Sequence, residues 1–249
     1  MVCFILQGSK RVQIGDQLLA YDSSQYLISA LDLPLIGQVV DAGAGRPYVA
    51  VSLVLEPALL AELAAAMPPT RESDSKGIGI AIHAMSAPVH DTLLRLLSLL
   101  DTPGDIPVIA PLVERELLYR LLQGPHGRLL RQIAQPEGAL GRIRKVVGWI
   151  RDNYNAPLRI EALCDASGMS RATLHRHFQT ITGFSPLQYQ KQLRLQEARK
   201  MLLTGENGVS HAAFAVGYES ASQFSREYLR HFGAPPAEDI RQIKTAIAI

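Results

Sequence analysis

Two periodicities divide the chain. Over roughly the first 85 residues, apolar positions come in short runs or alternate with polar ones, at the period of β-strands. From Val89 on they recur every three or four residues, as on helices. Residues 2–6 form a short apolar run, turned by Gly8-Ser9-Lys10. Val12 and Ile14 then alternate with Arg11 and Gln13, Gly15-Asp16 signals a hairpin, and 18–21 return. Further strands are predicted at 26–31, 36–40 and 48–55, separated by Asp, Gly and Pro turns. Residues 57–67 read as a helix rich in Ala and Leu, stopped by Pro68-Pro69; 70–77 read as a polar loop and 77–83 as one more strand. Many short strands at close spacing predict a small barrel or sandwich. The chain opens inside a strand, so the barrel is expected to be incomplete, its start truncated or mis-assigned, because missing strands leave open edges.

In the helical region, Leu93, Leu94, Leu96, Leu97, Leu99 and Leu100 crowd one segment that ends at Asp101-Thr102-Pro103-Gly104. A second helix is predicted over 110–123, with Leu112, Val113, Leu117, Leu118, Leu121 and Leu122, ending at Gly124-Pro125. Both are too apolar to stand alone. They pack on the β domain, pair with a second copy, or do both with different faces. Residues 126–135 read as a short connecting helix and Pro136-Glu137-Gly138 as a linker. Helices then follow at about 140–153, 158–167, 170–182, 185–203, 208–216, 221–231 and 236–245. The fold class is therefore α+β with several domains: a β domain at 1–88, a helical extension at 89–135, a linker at 136–141 and an all-α domain at 142–246.

Within the all-α domain a single pattern occurs twice. An apolar helix stops at a glycine, the chain turns, and a new helix starts at a serine. The first copy runs from Ile160 through Gly168 and Ser170 to Phe178; the second runs from Ala212 through Gly217 and Ser220 to Phe232. Each is a helix-turn-helix unit, and serine is a good helix cap because its oxygen satisfies an orphan backbone N–H. In the first, Leu174 and Phe178 are spaced to face the core, so Ala172, His175, Arg176 and Gln179 face outward. In the second, Phe224 and Tyr228 face inward and Ala221, Ser222, Ser225 and Arg226 outward. Such second helices read bases in the major groove, and an arginine can donate two hydrogen bonds to guanine. Arg176 and Arg226 are thus the strongest base-reading candidates. Arg171, Lys191, Arg230 and His231 are placed for phosphates. Tyr154 and Tyr189 are expected to pack rather than stack on bases. The helix joining the two units, about 19 residues long, is about 29 Å, near the ~34–36 Å between successive major grooves on one DNA face.

Charge supports this division. Net charge is only +2, but 1–141 carry 10 Lys and Arg against 14 Asp and Glu, whereas 142–249 carry 15 against 9. The basic half is the half with the paired units. Two cysteines, Cys3 and Cys164, lie far apart, with neither disulfide nor zinc spacing. Cys3 is expected in the core of a strand. No apolar run is long enough to span a bilayer, and 2–6 lack the flanks of a signal peptide, so no membrane is expected and the location is expected to be cytoplasmic. No cofactor is expected either: Gly77-Ile78-Gly79 lacks a third glycine, and no Ser-His-Asp grouping is readable.

The motifs Gly168-Met169-Ser170, Leu174-His175-Arg176-His177-Phe178 and Thr182-Gly183-Phe184-Ser185-Pro186-Leu187-Gln188-Tyr189 resemble those of the AraC/XylS family of bacterial transcription regulators. So do Val216-Gly217-Tyr218-Glu219-Ser220, Ser222-Gln223-Phe224-Ser225-Arg226-Glu227-Tyr228 and Phe232-Gly233-Ala234-Pro235-Pro236, and the likeness covers nearly all of 142–243. Gln7-Gly8-Ser9-Lys10, Leu31-Asp32-Leu33-Pro34, Pro47-Tyr48 and Glu56-Pro57-Ala58-Leu59-Leu60 resemble the N-terminal domain of such regulators. The resemblance implies a cupin-like β-barrel that senses a small-molecule effector, helices that can form a homodimer, and a DNA-binding activator that touches RNA polymerase. Cys164 stands where the pattern commonly has alanine, and a packed, inert thiol fits there.

Three rivals are weaker. A cupin-type metal enzyme would need clustered ligands, but His83, His90 and His126 form no such pattern. A DNA-repair methyltransferase with a similar DNA-binding domain would need a zinc cysteine cluster that two isolated cysteines do not supply. A pure interaction module would leave the two outward arginines and the basic half unexplained.

Overall fold

In the computed structural model, residues 1–15, 17–43, 45–68, 79–205 and 208–247 are described. The chain forms two compact units, one of residues 1–144 with 180–183, the other of 145–179 with 184–249. The first is built from strands β1 (Val2–Gln7), β2 (Ser9–Ile14), β3 (Gln17–Asp22), β4 (Gln25–Ser29), β5 (Ile36–Val39), β6 (Val49–Leu53) and β7 (Ile80–Ala84). Helix α1 (Pro57–Ala65) precedes β7, and α2 (Ala87–Ser98), α3 (Ile106–Gln123) and α4 (Gly127–Ile133) follow it.

The expected barrel takes another form. The strands make a four-stranded sheet in the order β6-β1-β4-β7 and a three-stranded sheet in the order β3-β2-β5. Among the described residues no ladder joins them into a closed barrel. The change of sheet happens at Gly8. It has φ +89, and a Cβ there would collide with the Asp41 carbonyl, so a single glycine does what a three-residue turn was expected to do. Ser9 and Lys10 already belong to β2. Strand β1 is not an edge: it pairs antiparallel with β4 through Cys3↔Leu27 and with β6 through Cys3↔Ser52. Accordingly Val2, Cys3, Phe4 and Ile5 are all buried, on both faces. The β2–β3 hairpin closes after Ile14↔Gln17, with Gly15 at φ +55; Asp16 lies outside the described residues, as do residues 70–78, where a loop and the start of a strand were expected.

Helix α3 begins four residues before its expected start. Pro107 and Pro111 look like breakers in the sequence. Pro107, however, sits in the first turn, where the missing N–H would have no partner anyway, and Pro111 costs one hydrogen bond. Leu117, Leu118, Leu121 and Leu122 are buried where α3 meets α2, α1 and α4. Arg115 donates two bonds to Glu62 on α1, at 3.0 and 2.5 Å, and Arg95 of α2 pairs with Glu116 at 2.6 Å. Such exposed pairs orient helices more than they stabilise them.

The second unit holds the rest of α5 (Ala139–Asp152), then α6 (Ile160–Ser167), α7 (Arg171–Thr182) up to Gln179, α8 (Pro186–Thr204), α9 (Val209–Ala215), α10 (Ala221–Phe232) and α11 (Pro236–Ile247). Helix α5 runs unbroken across the division at Arg144, so the expected linker is a turn at 136–138 followed directly by helix. Among the described residues no single helix is long and apolar enough to cross a membrane.

Leu118 is fully buried, so Leu118→Ala should leave a cavity in the first unit and lower its stability by about 2–5 kcal/mol. A urea titration followed by circular dichroism reads this as a lower midpoint; an unchanged midpoint would place Leu118 outside a tight core.

Candidate nucleic-acid interface

Both helix-turn-helix units form where the sequence pattern places them. Gly168 ends α6 with φ +62, a left-handed backbone that glycine adopts without strain. Ser170 then caps α7, its Oγ accepting from the Thr173 N–H at 3.4 Å. In the second unit Gly217 has φ +90, and Ser220 caps α10 by accepting from the Gln223 N–H at 3.3 Å. The joining helix α8 opens with a reciprocal cap. Ser185 Oγ accepts from the Gln188 N–H, and Gln188 Oε1 accepts from the Ser185 N–H at 2.8 Å.

Inward faces are apolar and full. Leu174 and Phe178 of α7 are buried, Phe178 meeting Tyr189 edge to face at 5.6 Å between ring centres. Phe224 and Tyr228 of α10 are buried in a cluster with Leu195, Ala198, Leu202, Ala212, Ala213 and Val216. Tyr154 packs against that cluster, and Tyr189 is buried, so neither ring is offered to a base. Phe214 is the exception: it is exposed although it sits in an apolar stretch of α9.

On the outward face of α7, Ala172, Arg176 and Gln179 are exposed and His175 is half-buried. His177, on the flank, is half-buried, and burial together with the Arg176 charge lowers its pKa. On α10, Ser222 and Arg226 are exposed, while Ala221 and Ser225 are half-buried. Ser225 Oγ donates to the Ala221 carbonyl at 2.9 Å, which leaves the hydroxyl free only to accept. Arg171, Arg176, Arg226 and Arg230 are all exposed, and no described carboxylate pairs with any of them.

Two of the four phosphate candidates are engaged otherwise. Lys191 pairs with Glu227 at 3.0 Å. Burial alone would raise the Glu227 carboxyl, but hydrogen bonds from Lys191, Tyr218 and Gln223 outweigh it and hold its pKa low. His231 has its ring against Phe232 and a buried Nε2 without a partner. Burial, then the Arg199 and Lys191 charges, push its pKa down to about 4, so near neutrality it carries no charge to offer a phosphate. The sequence pattern marked both as basic residues near the second unit and could not show their partners.

Structural cations that the pattern did not single out hold the unit together. Arg199 grips Asp239 with two bonds, at 2.8 and 2.7 Å, while Tyr228 donates to the same carboxylate at 2.7 Å. The Arg199 guanidinium also lies 4.3 Å from the centre of the Phe232 ring. Arg194 donates from Nε to the Tyr154 carbonyl at 2.6 Å, from Nη1 to Gly217 at 2.9 Å and from Nη2 to Ala156 at 2.9 Å. The two arginines stand five positions apart on α8, a spacing that by itself names no acceptor. In the first unit the rings of His83 and His126 meet edge to face at 5.1 Å, a contact the sequence did not announce. Among the described residues no three His, Cys, Asp or Glu converge as metal ligands. Cys3 is buried and Cys164 half-buried, both as free thiols.

His231 sets a pH dependence. The unfolded imidazole takes its proton near 6.5, whereas the folded one resists until about 4. Its stabilising contribution is therefore complete above about 6.5 and is lost as pH falls from there toward 4. Urea midpoints at several pH values should fall less steeply across this window for His231→Phe than for the wild type. Equal slopes would show that His231 titrates normally in the folded chain.

The family model described as AraC-type transcriptional regulator N-terminus matches residues 1–129, and one described as helix-turn-helix domain matches 163–242. The HTH-type transcriptional activator RhaS of Escherichia fergusonii is 34% identical over 110 residues, 44% of this chain and 39% of that protein. RhaS of Salmonella arizonae is 30% identical over 156 residues, 61% of this chain and 54% of that protein. The chain thus spans about half the length, or less, of these curated relatives. Among solved structures, ToxT from Vibrio cholerae O395 aligns with a TM-score of 0.53 over 96% of this chain and 87% of that one. At 12% identity this shows a shared fold. With its N-terminal region matched over more than half its length and two helix-turn-helix units behind it, the chain belongs to the AraC family of transcriptional regulators.

Proposed function

We propose that the helical unit binds double-stranded promoter DNA sequence-specifically, with α7 and α10 entering successive major grooves. The observation that carries this reading is the pair of outward helix faces whose arginines are exposed and have no ion-pair partner among the described residues. On α7 the base-reading set is Ala172, His175, Arg176 and Gln179; on α10 it is Ala221, Ser222, Ser225 and Arg226. Arg176 and Arg226 supply bidentate donors for guanine. Arg171 and Arg230 reach phosphates and set register. At 19 residues α8 is about 29 Å long, a little under the groove repeat, so DNA bent toward the protein fits best, at a cost of a few kcal/mol.

The β domain and helices α2 and α3 regulate that binding, through a small-molecule effector, through dimerisation, or through both. Support for a homodimer comes from apolar side chains left on the surface of this extension: Leu100 is 69% exposed, Val108 67% and Leu112 61%. The family resemblance supports the cupin-like sensor role for the two sheets, and contact with RNA polymerase as the route to activation.

Fragments selected from the source genome with the purified chain, then footprinted, should show two half-sites about one helical turn apart. Arg176→Ala and Arg226→Ala should each weaken binding to the selected site by about 1–3 kcal/mol in fluorescence anisotropy. Wild-type affinity in both variants would mean that α7 and α10 do not face the bases. Affinity should also fall steeply with salt, because phosphates are neutralised; a flat salt dependence in gel shifts would refute DNA binding by this face. Sedimentation of the chain at micromolar concentration should show a dimer that Leu112→Asp shifts to monomer. A wild-type monomer would remove the dimer from this reading.

A further inference from the structure

Recognition of two half-sites by one chain demands a fixed angle between two recognition helices. The connection at 153–157 leads into α6, the first helix of the first unit, and the turn at Gly217 leads into α10, the reading helix of the second. These two connections touch. A Cβ on Gly217 would collide with the Asn155 carbonyl, and φ +90 independently favours glycine there. The Tyr154 ring packs against the core of the second unit.

Arg194, halfway along α8, bolts the contact together. Its bonds to the Tyr154 and Ala156 carbonyls hold the first connection, and its bond to the Gly217 carbonyl holds the second. Gln190, one turn earlier, donates to the Ala156 carbonyl at 2.8 Å and reinforces the first connection only. Apolar packing is non-directional and tolerates small rotations of one helix pair against the other. Three hydrogen bonds from one planar guanidinium do not, since each needs its own distance and angle. We propose that Arg194, with the Gly217 turn seated on Asn155, is a positioning residue that sets the angle between α7 and α10, and so the half-site spacing that this chain accepts. It touches no base; it acts through the two connections. The proposal rests on the DNA reading above.

Its consequence is one of effective concentration. When the first helix is bound, the second is presented to its own half-site only if the junction holds it there; a loosened junction spreads it over many orientations. Lysine at 194 keeps the charge but gathers its donors on a single nitrogen, without the planar fork that spans the two connections.

The test compares the full-length wild type with Arg194→Lys, unlabelled for DNA binding and, in separate preparations without DNA, carrying labelled non-natural amino acids at Ala172 and Ser222 for a distance measurement. A narrow distance distribution is expected in the wild type and one at least about twice as wide in Arg194→Lys, with a cooperative melt retained. On the selected two-half-site DNA, Arg194→Lys should lose about tenfold in affinity, and its preference for native spacing over a one-base-pair insertion should flatten, while a single half-site for α7 is bound within about twofold of wild type. A broad wild-type distribution overturns the proposal, since nothing then locks the angle. So does a folded Arg194→Lys as narrow and as spacing-selective as the wild type. Loss of the cooperative melt in Arg194→Lys also overturns it, because Arg194 then holds the fold and not an angle. If no DNA site is selected at all, the DNA reading fails, yet the distance distributions still decide whether Arg194 locks the two helices.

Discussion

Arg194 donates from three nitrogens to three main-chain oxygens, and each of those oxygens lies in a connection rather than in a helix. A carbonyl in a helix has an intrahelical partner. One in a turn has no such partner and finds it in water or in a side chain. A single arginine on α8 therefore bonds at once to the connection before the first helix-turn-helix unit and to the turn inside the second. Burial lowers its pKa, a direction the nearby Glu227 charge opposes. The capped helices, the left-handed glycines and the apolar faces of α7 and α10 shape each unit; the Arg194 bonds connect the two.

The cations of the helical half divide by what surrounds them. Arg194 and Arg199 lie partly buried on α8 and direct their donors inside the protein, to carbonyls or to Asp239. Lys191 is held by Glu227, and His231 is kept neutral by burial beside Arg199. Arg171, Arg176, Arg226 and Arg230 remain hydrated on outward faces. A buried cation without a partner is expensive, so the interior keeps only those that find oxygen acceptors. The excess of positive charge in 142–249 thus overstates the charge carried on the outward faces of α7 and α10.

In the first unit a similarly short turn separates the two sheets. Gly8 breaks β1 from β2 in one residue and sends the chain from one sheet to the other. Strand β1, with four consecutive buried residues, becomes the centre of its sheet because β4 and β6 flank it. The helices beyond β7 cover apolar surface with Leu117, Leu118, Leu121 and Leu122, yet leave Leu100, Val108 and Leu112 in solvent. One helical face is thus covered within the chain, and another stands exposed among the described residues.

Local rules sufficed for much of this. Period-two and period-3.6 patterns place nearly every strand and helix, because burial of one face leaves its spacing in the sequence. Serines 170 and 220 mark their helix starts and glycines 168 and 217 the turns before them, because capping and left-handed backbone are properties of single residues. The outward sets on α7 and α10 follow from the inward ones by rotation about a helix. What spacing could not convey was partnership over distance. That Pro107 falls in a first turn, that the described strands make two sheets, that Lys191 meets Glu227 and that the His231 Nε2 is buried all depend on chain brought from elsewhere. The role of Arg194 is the clearest case: its acceptors lie 40, 38 and 23 positions away, and only the packed structure brings three carbonyls to one guanidinium.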